Sequence, residues 1–268
     1  MNPLHALVLG IVQGLTEFLP ISSSGHLILV PALLGWPDQG LAFDAAVHLG
    51  TALALLCYFA PELWRMAAGS AKGSGADVRL IAALAVGTVP AAVAGILFEH
   101  AIETRFRSAL VVAVTTIGWG LVLGWADRQA AGARVRQLRE VGILRGLAIG
   151  CAQILALVPG TSRSGITLTA GLASSLDRPT AARFAFLLGL PITAGAGLLK
   201  TVGLVRAGLG AAEVTALEVG LLASFVAGLL AVWFLIRYLQ RRTLTVFVVY
   251  RVVLGLVILW IFWGRGSL

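Results

Sequence analysis

The sequence predicts an all-α integral membrane protein with an inverted-topology repeat, each half a re-entrant helical hairpin plus three transmembrane helices. Three observations point there. Hydrophobic residues make up 59% of the chain and charged residues 12%, with a mean hydropathy of +0.94, whereas soluble domains carry about 25% charged residues. Apolar segments of roughly 20 residues, the length a helix needs to cross hydrocarbon, recur along the chain, and no alternating strands of barrel type interrupt them. Finally, the polar stretch at 13–26 has a second version at 153–167.

Residues 1–20 are apolar but short for a span, and Pro20 breaks the helix at their end. Residues 23–35 are shorter still. The two read as a hairpin that enters the membrane and returns on the same side. Broken backbone at that depth is tolerated only where protein or a water-filled cavity surrounds it. Residues 35–40, Gly-Trp-Pro-Asp-Gln-Gly, form a turn. Three longer segments follow at about 41–60, 80–98 and 108–126, separated by a basic Gly/Ser-rich loop at 61–79 and a mixed loop at 99–107 that carries Glu99, Glu103, Arg105 and Arg107. The most charged loop, 127–145, holds Arg128, Arg134, Arg136, Arg139 and Arg145. It joins the halves, about 1–127 and 143–264, through a basic connection at 128–142 within a single membrane domain, 1–268. The second half repeats the plan: a short pair at 143–158 and 163–176 broken at Pro159 and Gly160, then segments near 182–200, 215–236 and 244–263. At a constant offset of 140 residues, Gly10, Gln13, Leu15, Ser22, Ser24 and Gly25 align with Gly150, Gln153, Leu155, Ser162, Ser164 and Gly165. Residues 1–9 lack the basic start of a cleavable signal.

Three spans per half is an odd number, so the second half enters the membrane from the opposite side. Two hairpins approaching from opposite faces meet near the midplane, with polar broken helices forming the site. The net charge of +8 is read as basic loops beside anionic headgroups rather than a nucleic-acid surface. Loops 61–79, 127–145, 177–183 and 237–242 collect 13 basic residues: Arg65, Lys72, Arg79, Arg128, Arg134, Arg136, Arg139, Arg145, Arg178, Arg183, Arg237, Arg241 and Arg242. The other side collects five: Arg105, Arg107, Lys200, Arg206 and Arg265. The positive-inside rule places the first set in the cytoplasm. Both termini and the first hairpin then face outward, and the second hairpin enters from inside.

Ionisable residues away from the ends of membrane segments are functional candidates. Arg163 cannot shed its charge at depth, and its fork suits phosphate oxygens. Ser162, Ser164 and Thr167 offer hydroxyls beside it, while Gly160 and Gly165 let backbone N–H groups approach. The plainer reading is an arginine paired with Glu17 to hold the hairpins together. Glu17 follows Gln13 by one helical turn, so both project from one face. A carboxylate and a carboxamide can ligate a hard cation, Mg²⁺ or Ca²⁺, if substrate phosphates and water complete the shell; a structural hydrogen-bond pair is the alternative. Ser22, Ser23, Ser24 and His26 supply a nucleophile and a base, Ser23 and His26 sharing a face at a spacing of three. The imidazole could instead attack phosphorus itself. Together these residues point to a site for a phosphorylated, lipid-borne substrate. Asp44 and His48, four apart, form either an orienting pair for that site or a helix-stabilising one. Arg251 is read as structural, His5 and His100 as peripheral, and Cys57 and Cys151 as buried small side chains.

At these residues the chain resembles the undecaprenyl-diphosphate phosphatase family, the bacitracin-resistance membrane lipid phosphatases of bacteria. The family pattern is Glu/Gln-x-x-x-Glu, a nearby Ser-Ser-x-Gly-His, and Pro-Gly-x-Ser-Arg-Ser-x-x-Thr. Here these are met by Gln13 and Glu17, by residues 22–26, and by residues 159–167, the last at every fixed position. The resemblance covers essentially the whole chain. It implies hydrolysis of the C55 polyprenyl diphosphate to the monophosphate and inorganic phosphate, recycling the carrier lipid for cell-wall synthesis, in the cytoplasmic membrane with the site open to its outer face. It implies dependence on a divalent cation at Glu17. It also implies Ser23 or His26 as the attacking group or its base, and Arg163 as the phosphate binder assisted by Ser162 and Thr167. Gln13 stands in place of the more acidic form of the first motif, which removes one negative ligand. The rival class is a transporter or flippase of a phosphorylated lipid or small anion, which would need Arg163 but no nucleophile. Gly-rich faces such as 189–197 permit close packing and hence a homodimer, without specifying the partner.

Overall fold

The computed structural model describes residues 2–264 apart from 38, 107, 131–132, 135–136 and 209. Asp38 of the expected turn, and Arg107, Arg136 and Arg265 of the charge count, lie outside the described residues, as do the side chains of Glu99, His100, Glu103 and Arg105. The described residues form ten α-helices in two like series. The first is α1 (Pro3–Phe18), α2 (Ser23–Leu34), α3 (Leu41–Ala71), α4 (Gly75–Arg105) and α5 (Ala109–Gln129). The second is α6 (Ile143–Gln153, continued by a 3₁₀ turn, Ile154–Leu157), α7 (Arg163–Ala173), α8 (Arg178–Ala207), α9 (Ala211–Leu239) and α10 (Thr245–Gly264). In each series two short helices precede three long ones. The six long helices are apolar and long enough to cross a membrane, so the protein is a multi-pass membrane protein.

The breaks in the short pairs follow from local sterics. A residue before proline is pushed out of the helical region. Leu19, before Pro20, is extended at φ −64°, ψ 138°, and Val158, before Pro159, at φ −77°, ψ 121°. The long helices start at side-chain caps: Ser74 accepts from the Asp77 N–H, Ser108 from Val111 and Asp177 from Thr180. Helix α3 runs ten residues past Pro61, so most of the loop expected at 61–79 is helical and the connection shrinks to 72–74. The segment after Pro61 is rich in good helix formers and carries a Glu62–Arg65 pair at 3.1 Å. Likewise α4 extends through much of the loop expected at 99–107.

The two series interlock. Helix α1 lies along α9, and α6 lies along α4, so each short leading helix packs on a long helix of the other series. Glycine permits both approaches. A Cβ at Gly10 would sit 2.5 Å from the Gly220 carbonyl oxygen, and one at Gly150 would collide with the Gly87 carbonyl. Helices α3 and α8 also pair, as do α5 and α10. Phe18, Phe59 and Phe186 meet in the core, the Phe18 and Phe186 rings edge-to-face at 5.4 Å. Outward faces carry Leu53, Val93, Leu121, Leu199, Leu230 and Val253, the surface a lipid would cover. Cys57 and Cys151 are free thiols on such exposed faces rather than buried in the core as expected, because a small apolar side chain is at home against hydrocarbon.

Several basic residues predicted to share one side do gather at one end. Arg178 Nε lies 2.5 Å from Asp127 Oδ1, whose other oxygen accepts the Leu244 N–H at 3.0 Å. Arg139 donates to Asp77 at 3.1 Å, and Glu62 lies between Arg65 and Arg183. These pairs tie together the ends of α3, α4, α5, α8 and the start of α10.

Replacing Gly150 with Leu should separate α6 from α4 and destabilise the fold by roughly 1–3 kcal/mol, read as a lower thermal midpoint in detergent. Gly118→Ala, where an added Cβ meets open space, should leave the midpoint unchanged.

Candidate active site

The site forms where the two breaks meet. Both α2 and α7 begin after a serine at positive φ, Ser22 at 75° and Ser162 at 69°. Such backbone is strained for a residue with a Cβ, at a cost of about 1–3 kcal/mol each, and persists only when its surroundings hold it. Each serine faces the serine two residues on, Ser22 to Ser24 and Ser162 to Ser164, both at 3.2 Å. The hairpins also brace each other: Ser164 donates to the Leu19 carbonyl at 3.2 Å, and the Gly160 N–H donates to Ser24 Oγ at 3.4 Å. Gly160 takes φ 86°, and a Cβ there would meet Thr115 and Val112.

Arg251 on α10 secures this junction. It is 0% exposed, and its hydrogen bonds go to backbone carbonyls. Nε donates to Thr116 at 2.9 Å and Nη1 to Pro20 at 3.2 Å, while Nη2 reaches Thr115, Gly160 and Thr161 at 3.4, 3.1 and 3.0 Å. From α5, Thr115 and Thr116 donate their hydroxyls to the Pro159 and Gly160 carbonyls at 2.7 and 3.2 Å. Arg251 is thus structural, as its sequence position implied, and pairs with carbonyls.

On the other side of the junction Glu17 sits at the centre of a polar cluster. Its Oε1 is 2.5 Å from Arg163 Nη2. Its Oε2 accepts from Ser23 Oγ at 2.6 Å and from Gln13 Nε2 at 3.1 Å, with His48 Nε2 at 3.4 Å. Arg163 is anchored separately from α8, to the Gly189 carbonyl at 2.9 Å and to the Thr193 hydroxyl. A cavity of about 220 Å³ opens beside the cluster, walled by Glu17, Ser22, Ser23, Ser24, His48, Gln153, Ser162, Arg163 and Thr193 together with apolar side chains.

The structure brings together Gln13, Glu17, Ser23 and Arg163 directly, with Ser22, Ser24 and Ser162 at the cavity wall. It does not pair Ser23 with His26. The imidazole Nδ1 faces the Ser22 carbonyl at 2.7 Å, which can only accept, so Nδ1 carries a proton and Nε2 accepts from the Tyr250 hydroxyl at 2.6 Å. The two rings stack with centroids 5.7 Å apart. His26 is therefore turned toward α10 rather than toward the cavity. Thr167 donates to the Arg163 carbonyl of its own helix at 2.7 Å, and Ser164 braces the first break. His48 does orient the site, meeting Glu17 with one nitrogen and its own helix's Asp44 carbonyl with the other, at 2.6 Å; the partner within α3 is that carbonyl rather than the Asp44 carboxylate. Tyr250 and Thr193 were not singled out by sequence, since a tyrosine and a threonine in apolar spans carry no signal of their own.

Whether a hard cation suits this donor set turns on Gln13. The residue is fully buried, and its Oε1 has no hydrogen-bond partner among the described residues. Gln13 does not line the cavity and turns its Nε2 to Glu17, whose oxygens also face Ser23, His48 and Arg163, so a hard cation at this carboxylate would draw most of its oxygen shell from phosphate and water. Among the described residues no cluster of three or more His, Cys, Asp or Glu forms a protein-only metal site.

Comparison with known proteins places this geometry in context. The family model for bacitracin resistance protein BacA matches residues 6–257. The undecaprenyl-diphosphatase of Moorella thermoacetica is 46% identical over 266 residues, covering 99% of this chain and all of the relative. Undecaprenyl-diphosphatase 2 of Stutzerimonas stutzeri is 48% identical over 98% of this chain and all of its own length. The undecaprenyl-diphosphatase of Alcanivorax borkumensis is 48% identical over 98% of this chain and 99% of its own.

Arg251→Met would take one donor from each of five backbone carbonyls, leaving Gly160 only the Thr116 hydroxyl. We expect a loss on the order of 3 kcal/mol and a clear fall in thermal midpoint. Arg251→Lys should recover only part of it, because an ammonium lacks the planar fork. A midpoint equal to wild type for the Met variant would remove Arg251 from its structural role.

Proposed function

The chain belongs to the bacitracin resistance protein BacA family, and we propose on that premise that it hydrolyses undecaprenyl diphosphate to undecaprenyl phosphate and inorganic phosphate. It is a phosphoric anhydride hydrolase whose product re-enters cell-wall synthesis as carrier lipid, and whose activity gives bacitracin resistance. The observation that carries the reading at the level of chemistry is the Ser23 hydroxyl on the Glu17 carboxylate at 2.6 Å, beside Arg163. A serine becomes a nucleophile when a base sits within hydrogen-bond reach, and a guanidinium fixed next to it stabilises charge on a phosphoryl group in a dry site.

In this mechanism Ser23 Oγ attacks the terminal phosphorus and its proton passes to Glu17. The Oγ–P bond forms as the bond from phosphorus to the bridging oxygen breaks, and undecaprenyl phosphate departs with the electron pair. Water then cleaves the phosphoserine, giving inorganic phosphate and restoring the hydroxyl. Arg163, held by Gly189 and Thr193, keeps its position through both steps. The hydroxyls of Ser22, Ser24 and Ser162 at the cavity wall bind phosphate oxygens. His26 acts at one remove, holding the Ser22 carbonyl and so the start of α2. Gln13 and Glu17 would hold a divalent cation, Mg²⁺ or Ca²⁺, which supplies neutralisation of the diphosphate's charge.

The two halves lie inverted in the bacterial cytoplasmic membrane, with the ion-paired basic end in the cytoplasm and the site opening to the outer face. The charge bias supports this orientation. The prenyl chain lies in hydrocarbon while its diphosphate occupies the cavity.

Phosphate release from a long-chain polyprenyl diphosphate in detergent is the test. Ser23→Ala and Glu17→Gln should each reduce kcat by at least about a hundredfold, Arg163→Lys by about 10²–10³, and chelation of divalent cations should abolish release. His26→Gln should lose less than Ser23→Ala. Substrate bound without phosphate release by folded wild type would point to transport instead.

A further inference from the structure

Gln153 is the last residue of α6 and walls the cavity. It is 2% exposed, and neither its Oε1 nor its Nε2 has a hydrogen-bond partner among the described residues. Buried amides are nearly always paired, so an unpaired one at the wall of an active-site cavity is available to a ligand. The repeat explains how it came to be free. Gln13, its counterpart 140 residues earlier, gives its Nε2 to Glu17 one turn on. One turn on from Gln153 stands Leu157, which offers nothing.

The cavity also has an apolar wall: Ala156 and Leu157, which follow Gln153 in the 3₁₀ turn, Ala91 from α4, against which α6 packs, and Ile192 and Ala196 from α8. The charged groups and hydroxyls come chiefly from α1, α2, α3 and the start of α7. A lipid diphosphate joins the same two characters: a terminal phosphate and a second phosphate, then hydrocarbon. Its terminal phosphorus must reach Ser23, and its chain must lie on apolar surface. The group between them is the phosphate that stays on the lipid.

We propose that Gln153 binds this lipid-proximal phosphate, its Nε2 donating to a non-bridging oxygen and its Oε1 accepting from water in the same shell. The proposal rests on the phosphatase reading and adds to it a residue that recognises the ester-linked phosphate common to substrate and lipid product.

The test compares purified wild type with Gln153→Met and Gln153→Leu in detergent. Three constants are measured: KM for the polyprenyl diphosphate, and the inhibition constants of the polyprenyl monophosphate and of inorganic phosphate. In both variants KM and the monophosphate constant should rise together, about tenfold, equivalent to ~1.4 kcal/mol. The inorganic phosphate constant should stay at its wild-type value, kcat should change less than KM, and the thermal midpoint should not fall. Weakened inhibition by inorganic phosphate with the monophosphate constant unchanged would assign Gln153 to the terminal phosphate and overturn the proposal. Wild-type constants in both variants would overturn it too. So would a lower midpoint in both, since that would mean the amide has a partner within the protein. Absence of phosphate release from wild type would instead overturn the phosphatase reading.

Discussion

One buried guanidinium holds this molecule's centre together. A helix broken inside hydrocarbon leaves carbonyls that water cannot reach, and each needs a donor. Two such breaks meet here, and Arg251 satisfies carbonyls from both, Pro20 in the first and Gly160 and Thr161 in the second, while also gripping Thr115 and Thr116 of α5. No neutral side chain offers five donors in a fixed plane. The strained serines at 22 and 162 are held by the same framework. The starts of α2 and α7, and therefore the directions of Ser23 and Arg163, depend on a residue from the last helix that is not itself in the cavity.

The junction has nearly duplicated backbone and divergent side chains. Positions 22 and 162 are both serine, both at positive φ, and both hydrogen-bonded two residues on. The next residue in each half differs in kind: Ser23 in one, Arg163 in the other. One turn before the breaks Glu17 corresponds to Leu157. The duplicated frame therefore presents a hydroxyl and its carboxylate from one side and a guanidinium from the other. A strictly symmetric site would carry either two carboxylates, which repel phosphate, or two guanidinium groups without a base.

The backbone plan was legible because proline and hydropathy report locally. Pro20 and Pro159 mark the breaks, and their effect on the preceding residue is steric. The lengths of α3 and α4 were less legible, since a polar, glycine-containing stretch such as 61–79 reads as loop until ion pairs and packing extend the helix through it. In the site, Glu17 and Arg163 could be found from charge alone, because a charge in an apolar segment requires a partner, and Gln13 from its place one helical turn before Glu17. The Ser23–His26 pairing expected from helical spacing failed for a reason outside the helix. Spacing places two residues on a face, but Tyr250, more than two hundred residues away, takes the imidazole. Gln153 was visible only as a repeat match. That its amide is unpaired depends on Leu157 and on the packing of α4 and α8.

The Glu17–Arg163 pair also constrains what the cavity can receive. A buried ion pair is stable only as a pair, because removing either charge leaves the other uncompensated. An anion that enters must therefore offer the guanidinium at least what the carboxylate offers, and it must do so without expelling Arg163. The second condition is met because Arg163 is also tied to Gly189 and Thr193 on α8, anchors that do not depend on Glu17. The first selects multiply charged oxyanions, whose several oxygens can occupy the fork and the neighbouring serine hydroxyls at once.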